Sequence, residues 1–456
     1  MKQNKSKKTK TGIAFLLVVA ASLTVQAQTS TPEVNQTGGI SAITSGGESS
    51  VGASPFAISC YAFGDYAYMG HGDSAGRGVN TEYKGMGAAN QIQHPDGIEI
   101  RRAYLQGDYN INLRFSGTVL LAYEGNYDGL TKRSMFLKYA FVKWKQIFKG
   151  TDLKIVLQPT NSFATAYNTE PLYQYRSVEK TLLDIHGIDA SYDMGIMLEG
   201  KIATFKGSDS TKFPTFIGYS IMLAENSGSP VPGFAPTNLA LNASTDADHK
   251  YRGNIFVNTL GGALTVGIYA DYINYGNVPY KKSSNGFQDA SQLTKVYAAY
   301  NRKFFGMGVE GFMQTNKNGE IETWKVGTGT NDTTDATQFG YSIWANANII
   351  TNKLKVFARY DSYNPDTKFN YNSNETFSSR IFGAAPSSSN PSGSFSSYGY
   401  TETFVNVGLD WMPTKDKKVH VMPNVWYDKI TNDYGSDALK TDYYMVYRIT
   451  FLYAFK

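Results

Sequence analysis

Basic side chains recur in stretches where apolar residues occupy every second position. Six basic residues lie in such stretches at the positions between the apolar ones: Arg101, Arg114, Arg252, Lys355, Arg359 and Arg448. Successive side chains of a β-strand point to opposite faces, so these six would lie opposite the apolar face of their strands. If the strands enclose a channel, they would form an electropositive stripe that lowers the barrier for anions.

The same strands carry acids that could neutralise this stripe. If each basic residue paired with an acid, the set would be part of an ordinary polar lining, and this alternative stays open for every one of them. The candidate partners are Glu99, Glu124, Glu310, Asp361 and Asp410. Arg102 has the opposite parity to Arg101 and would face outward in a regular strand. We expect it either to reach the rim of the apolar band or to mark a β-bulge.

The residues that could support enzymatic chemistry are scattered. No two of the five histidines have the spacing of metal ligands. Cys60 is the only cysteine, which excludes an intrachain disulfide and a multi-cysteine zinc site. The sequence therefore predicts a protein that is not an enzyme and needs no cofactor or metal.

The C-terminal stretch from Asp442 to Lys456 defines the elements that must position these residues. Tyr443, Tyr447, Phe451 and the residues between them at every second position form one continuous apolar face, whereas Arg448 lies on the other. Such a face, rich in aromatic residues, is typical of a strand that faces lipid. A strand of a soluble β-sandwich is the alternative.

About sixteen segments of roughly ten residues share this alternation, the length expected for tilted membrane strands. The clearest are Ile111 to Glu124, Leu264 to Tyr272 and Lys353 to Asp361; a weaker one spans 186–199. Long polar connectors alternate with short ones, as in a barrel with its turns on one side and its loops on the other. The fold class is therefore all-β, a transmembrane antiparallel barrel of about 16 strands. A barrel of that size leaves a water-filled lumen.

The N-terminus has the pattern of an export signal. Five lysines precede the apolar run from Ile13 to Ala21, and Val25 to Ala27 resembles a cleavage site, which predicts a signal peptide over 1–27. The chain has 43 basic and 38 acidic residues, and the first 27 residues hold five lysines and no acid, so 38 of each remain. This balance does not favour a nucleic-acid partner. Residues 28–54 are small and polar, and read as a flexible periplasmic segment before the barrel of 55–456.

Several stretches share a pattern with one known family: Ile98 to Tyr104 with its paired arginines, Phe136 to Trp144 followed by Asp152 to Pro159, Tyr175 to Lys180, Ala358 to Pro365, and Gly408 to Pro413. They resemble the phosphate-selective porin O/P family of Gram-negative outer membranes. The resemblance implies a homotrimer of sixteen-stranded barrels, each narrowed by an inward-folded third connector. It also implies an anion path lined by basic side chains. Here the candidate constriction loop, 159–185, supplies Arg176 and Lys180, set against Glu170, Glu179 and Asp184.

The sequence thus predicts a porin of the bacterial outer membrane, embedded in lipid, through which small hydrophilic solutes diffuse. The first hypothesis is an anion-preferring and phosphate-related pore. The second is a general porin of weak selectivity, which the balanced charge favours. The third, from another class, is a plugged barrel that acts as a surface enzyme or adhesin. The candidate residues of the anion path are Arg101, Arg114, Arg176, Lys180, Arg252, Lys355, Arg359 and Arg448.

Overall fold

A computed structural model of the chain describes residues 55–73, 96–124, 135–163, 180–205, 215–225, 249–278, 287–324, 331–367, 375–379, 400–432 and 441–455. Sixteen strands form a closed antiparallel barrel in which each strand pairs with its neighbours in sequence. The barrel closes where the first strand pairs with the last, with Cys60 opposite Phe455 and Tyr68 opposite Tyr447. The predicted fold class is confirmed.

The first half of the barrel contains eight strands and two short helical turns. The strands are β1 (Phe56–His71), β2 (Asp96–Asn110), β3 (Phe115–Glu124), β4 (Phe136–Phe148), β5 (Thr151–Pro159), β6 (Tyr192–Phe205), β7 (Thr215–Ala224) and β8 (Lys250–Thr259). Between β5 and β6 lie a single 3-10 turn (Asn161–Phe163) and the one-turn helix α1 (Leu182–Ile185). Among the described residues, no helix is long and apolar enough to cross a membrane.

The second half contains β9 (Leu264–Val278), β10 (Phe287–Asn301), β11 (Phe305–Trp324), β12 (Asn331–Ile350), β13 (Leu354–Asn364), β14 (Glu375–Ser379), β15 (Tyr400–Trp411), β16 (Val419–Asn432) and β17 (Asp442–Phe455). β14 is not part of the barrel wall: it pairs only with the far end of β11, and β13 pairs directly with β15. It lies in the long connector between β13 and β15.

The outer surface of the barrel is an apolar band. On β17, Tyr447, Phe451 and Tyr453 are about half exposed, at 49%, 50% and 51%, whereas Arg448 and Thr450 on the other face are 2% and 0% exposed. The predicted alternation of this strand is confirmed. The same alternation holds on β9 and β13, where Ile268 and Tyr360 face outward.

The strand predicted over 186–199 begins six residues late, at Tyr192. The residues before it form α1, because the Thr181 hydroxyl accepts a hydrogen bond from the backbone N–H of Asp184 at 3.3 Å and caps the helix. Gly187 follows with a φ of 64°, the left-handed conformation that ends helices. The capping signal Thr-Leu-Leu-Asp outweighs the alternation that follows it.

A β-bulge sits where β1 meets β2. Phe63 lies opposite Arg102 and Gly64 opposite Ile100, so Arg101 has no partner on β1. The bulge turns both Arg101 and Arg102 inward, where they are 2% and 1% exposed. The second of the two expectations for Arg102, the bulge, is the arrangement found.

Gly64 is the glycine that this bulge requires. A Cβ at Gly64 would run into the backbone carbonyl of Glu99 on β2, whereas a Cβ at Gly253, an outward position on β8, would meet nothing within 4 Å. We expect Gly64→Ala to lower the free energy of unfolding by about 1–3 kcal/mol, the usual cost of overpacking. Gly253→Ala should leave it unchanged or raise it slightly. Urea titration followed by the electrophoretic mobility of the folded barrel measures both, and equal midpoints would contradict the bulge argument.

Candidate functional site in the barrel lumen

The connector between β5 and β6 returns to the wall through the inside of the barrel. Leu182 and Leu183 of α1 are fully buried, and they pack in one apolar cluster with the inward-facing Tyr269, Leu293, Phe312 and Tyr363. Tyr363 lies on β13, seven strands from β6 around the barrel and therefore almost opposite to it. We call residues 180–191 the lumen segment. Its helix is held on the far wall by burial of two leucines.

Polar contacts hold both ends of the lumen segment. At its start, the Arg359 guanidinium donates to the backbone carbonyl of Lys180 at 2.8 Å, and two of its nitrogens also bond Asp361. Near its end, Arg252 on β8 contacts Asp189 at 2.6 Å and Asp193 at 3.0 Å. Lys250 approaches Asp193 at 3.1 Å. The segment is therefore fixed to β13 near its start and to β8 near its end, and its last two residues also accept hydrogen bonds from Thr160, directly after β5.

Two titratable groups of the lumen segment have shifted pKa values. Burial, together with the charge of Arg359, lowers the pKa of His186 from 6.5 to about 3, so its ring is neutral while it stacks on Tyr363 at 3.6 Å between centroids. Burial raises the pKa of Asp184, although the charges of Arg102, Lys180 and Lys138 act in the opposite direction. The helix thus brings a carboxyl group towards basic residues of β2 and β4.

Those basic residues reach the lumen through two bulges. A second bulge lies between β3 and β4, where Leu120 pairs with Tyr139 and Leu121 pairs with Leu137. Lys138 therefore has no opposite residue on β3, and its side chain turns inward. Lys138 and Arg102 both contact Glu124 of β3, the latter at 3.2 Å, and the Tyr104 hydroxyl donates to the same carboxylate. Bulges re-aim side chains in this way next to functional sites. One acid is shared by two cations here.

The rest of the described wall repeats this pairing. Asp65 contacts both Arg448 and Arg101, the latter at 3.7 Å. Lys143 and Lys154 contact Glu199 at 3.0 and 2.8 Å. Further pairs join Lys295 to Glu310 at 2.7 Å and Lys143 to Asp152 at 2.8 Å. Each basic residue of these pairs lies beside a carboxylate, so the lining is polar but close to charge balance.

The predicted anion-path residues differ in where they lie. Arg101, Arg252, Arg359 and Arg448 face inward, are buried and contact carboxylates. Lys355 faces inward and is half-buried, directly across from Asp410 on β15. Lys180 lies on the lumen segment, and its backbone contacts Arg359. Arg176 lies outside the described residues.

The placement of Arg114 on a lumen-facing strand is wrong. β2 continues to Asn110 and β3 begins only at Phe115, so Arg114 is an exposed residue of the turn between them. The turn forms because the Asn112 side chain accepts hydrogen bonds from the backbone N–H groups of Arg114 and Phe115 at 2.8 and 2.9 Å. Asparagine commonly stabilises turns in this manner.

Sequence reasoning missed an apolar layer on the inner wall. Twelve buried residues form it, with Phe63, Leu120, Trp344, Phe357 and Leu452 among them, and they come from strands on both sides of the β1–β17 seam. Alternation could not reveal this layer, because it predicts which face a residue is on and assumes that the inner face is polar. Strands with apolar residues on both faces, such as Val119 to Ala122, were the available signal.

The described residues offer no cluster of three or more histidine, cysteine, aspartate or glutamate side chains that could hold a metal ion. His420 contacts Asp410 at 2.8 Å and the carbonyl of Lys417 at 3.1 Å. Its two ring nitrogens are thereby occupied within the wall.

Comparison with known proteins supports the architecture. No family model matches the chain, and no curated protein matches it in sequence. Among solved structures, an anion-selective porin from Comamonas acidovorans matches 88% of this chain and 99% of its own length, with a TM-score of 0.52 at 10% identity. The outer-membrane channel DcaP of Acinetobacter baumannii is matched over 97% of its own length, with a TM-score of 0.48 at 10% identity. OprB of Pseudomonas putida is matched over 94% of its own length, with a TM-score of 0.49 at 9% identity. At 10% identity the likeness to the first of these structures shows the fold alone: the chain has the barrel architecture of that porin.

Proposed function

We propose that the chain is a porin of the bacterial outer membrane through which small hydrophilic solutes diffuse passively. The observation that carries this proposal is the closed barrel of sixteen strands with an apolar outer band and a charged inner wall. Such a band is stable against lipid, and a barrel of this size encloses more space than its own side chains fill. The lumen segment would narrow that space near the level of α1.

The lining favours weak selectivity over a phosphate-specific path. An anion path requires basic side chains whose charge is free to act on the solute. Here Arg252 contacts two carboxylates and Arg359 is held by Asp361. The anion-preferring, phosphate-related pore therefore stays the second candidate, supported by the resemblance to the phosphate-selective family and by the two cations that share Glu124. Lys355 and Lys180 would then be its most accessible members.

Planar-bilayer recordings of the refolded protein test this proposal. We expect a stable conductance that rises with salt, a reversal potential close to zero in a KCl gradient, and no block by phosphate. A homotrimer, which we also propose, would close in three equal steps. A reversal potential on the anion side with phosphate block would favour the second candidate. Absence of any conductance would point to a plugged barrel that acts as a surface enzyme or adhesin.

A further inference from the structure

The short-turn end of the barrel carries a strong excess of positive charge. The described turns at this end are 111–114, 149–150, 260–263, 302–304, 351–353 and 412–418, and they hold eight basic residues and one acid, Asp416. We call these basic residues the rim collar: Arg114, Lys149, Arg302, Lys303, Lys353 and the three lysines within 415–418. The chain after residue 27 is balanced, so this excess is offset by acids elsewhere.

The basic side chains of the rim collar and those of the lumen wall differ in their contacts with carboxylates. Among the described residues, none of the eight forms an ion pair. Arg302 donates to the backbone carbonyl of Leu260 in the neighbouring turn at 2.7 Å, which extends the collar over the one described turn that has no basic residue of its own. Most of the collar is exposed to solvent. Its charge is available to an external partner.

The collar lies beside outward-facing aromatic residues. Phe148 precedes Lys149 and is 65% exposed, and Phe304 follows Lys303 and is 63% exposed. Trp411, also exposed, comes directly before the turn 412–418. Exposed aromatic rings at the edge of an apolar band mark the level of lipid headgroups. The basic side chains therefore lie where the phosphates of a surrounding leaflet would be.

We propose that the rim collar binds the headgroups of anionic phospholipids in the leaflet that surrounds the short-turn end. This proposal rests on the proposed membrane location of the barrel. Basic residues near an anionic lipid surface are attracted to it, and the attraction is screened by salt. The exposed aromatic residues anchor the band in the interface, and the lysines and arginines select negatively charged headgroups.

Quenching of Trp411 by brominated lipids tests the proposal. The full chain is reconstituted in mixed vesicles in which either phosphatidylglycerol or phosphatidylcholine is brominated, and the Trp411 signal is the part lost in a Trp411→Phe variant. We expect brominated phosphatidylglycerol to quench this signal at least about twofold more than random mixing predicts, with the preference lost in high salt. The variant Lys415→Gln/Lys417→Gln should lose it as well.

A matched variant, Lys317→Gln/Lys429→Gln, removes the same charge at the opposite end of the barrel and should keep the preference. Equal quenching by the two lipids in the unmodified protein would overturn the proposal. So would loss of the preference in millimolar inorganic phosphate at constant ionic strength, which would assign the collar to free phosphate. Conductance recorded on the same preparation keeps the two proposals separate. A conducting channel without lipid preference would contradict only the proposal that the rim collar binds anionic lipids. A lipid preference without conductance would contradict only the proposal that the chain is a porin.

Discussion

Replacing Arg252 by methionine should release the lumen segment and increase the single-channel conductance. Arg252 is 1% exposed in its side chain and is the cation shared by Asp189 and Asp193. Removing it leaves Asp189 of the segment buried beside Asp271 and Tyr269 without its cation. Removing one partner of a buried ion pair costs about 3–5 kcal/mol, and undocking of the segment lets Asp189 return to water. The lumen would then be wider where the segment now lies.

Lys295→Met provides the matched control. Like Arg252, Lys295 is buried, with 2% of its side chain exposed, and is paired with a buried acid, Glu310. This pair joins β10 to β11 and includes no residue of the lumen segment. We expect it to lower the stability of the barrel without changing the conductance. The double variant Arg252→Met/Asp189→Asn removes the uncompensated carboxylate and should recover part of the original conductance. Equal conductance in Arg252→Met and the unmodified protein would contradict a pinning role for Arg252.

The sequence predicts the wall of the barrel well because the outer face is uniformly apolar. On β17 every second residue faces outward, and the alternation assigns Arg448 to the lumen correctly. Alternation is less decisive where one residue changes the register. The opposite parity of Arg101 and Arg102 left a bulge as one of two expectations. The turn that removes Arg114 from its strand is started by the side chain of Asn112 and not by a change in alternation.

The contents of the lumen are harder to predict, because they depend on residues that are distant in sequence. Asp65 and Arg448 are 383 positions apart and meet only because β1 closes against β17. Leu182 and Leu183 read as an ordinary apolar pair in a connector, and their partners lie on four other strands. Alternation gives the direction of each side chain but not its neighbour, so it left open whether the basic residues stand alone or in pairs.

Lowering the pH from 7 to 4 should also release the lumen segment. The pKa of His186 is lowered to about 3 while the segment is docked, and it returns towards 6.5 when the ring reaches water. Between these two values the undocked segment binds a proton that the docked one does not. Docking therefore loses about 1.4 kcal/mol per pH unit as the pH falls through this range, and is fully favoured above pH 6.5.

Asp184 acts in the opposite direction. Its pKa is raised by burial, so protonation at low pH favours the docked state. The His186 ring is buried and its Nδ1 has no hydrogen-bond partner among the described residues, so we expect its titration to outweigh that of Asp184. The net result is a conductance that rises towards pH 4 and approaches that of Arg252→Met. Asp184→Asn should make the rise steeper.

His186→Phe isolates the responsible group, because it preserves a ring that can stack on Tyr363 and removes the titration. We expect its conductance at pH 7 to match that of the unmodified protein and to stay constant down to pH 4. The control His420→Asn alters a buried histidine whose contacts are Asp410 and Lys417, away from the segment, and should retain the pH dependence. An unmodified protein whose conductance does not change between pH 7 and 4 would show that His186 does not govern docking. The restraints left to test would then be Arg252 and Arg359, which hold the two ends of the segment.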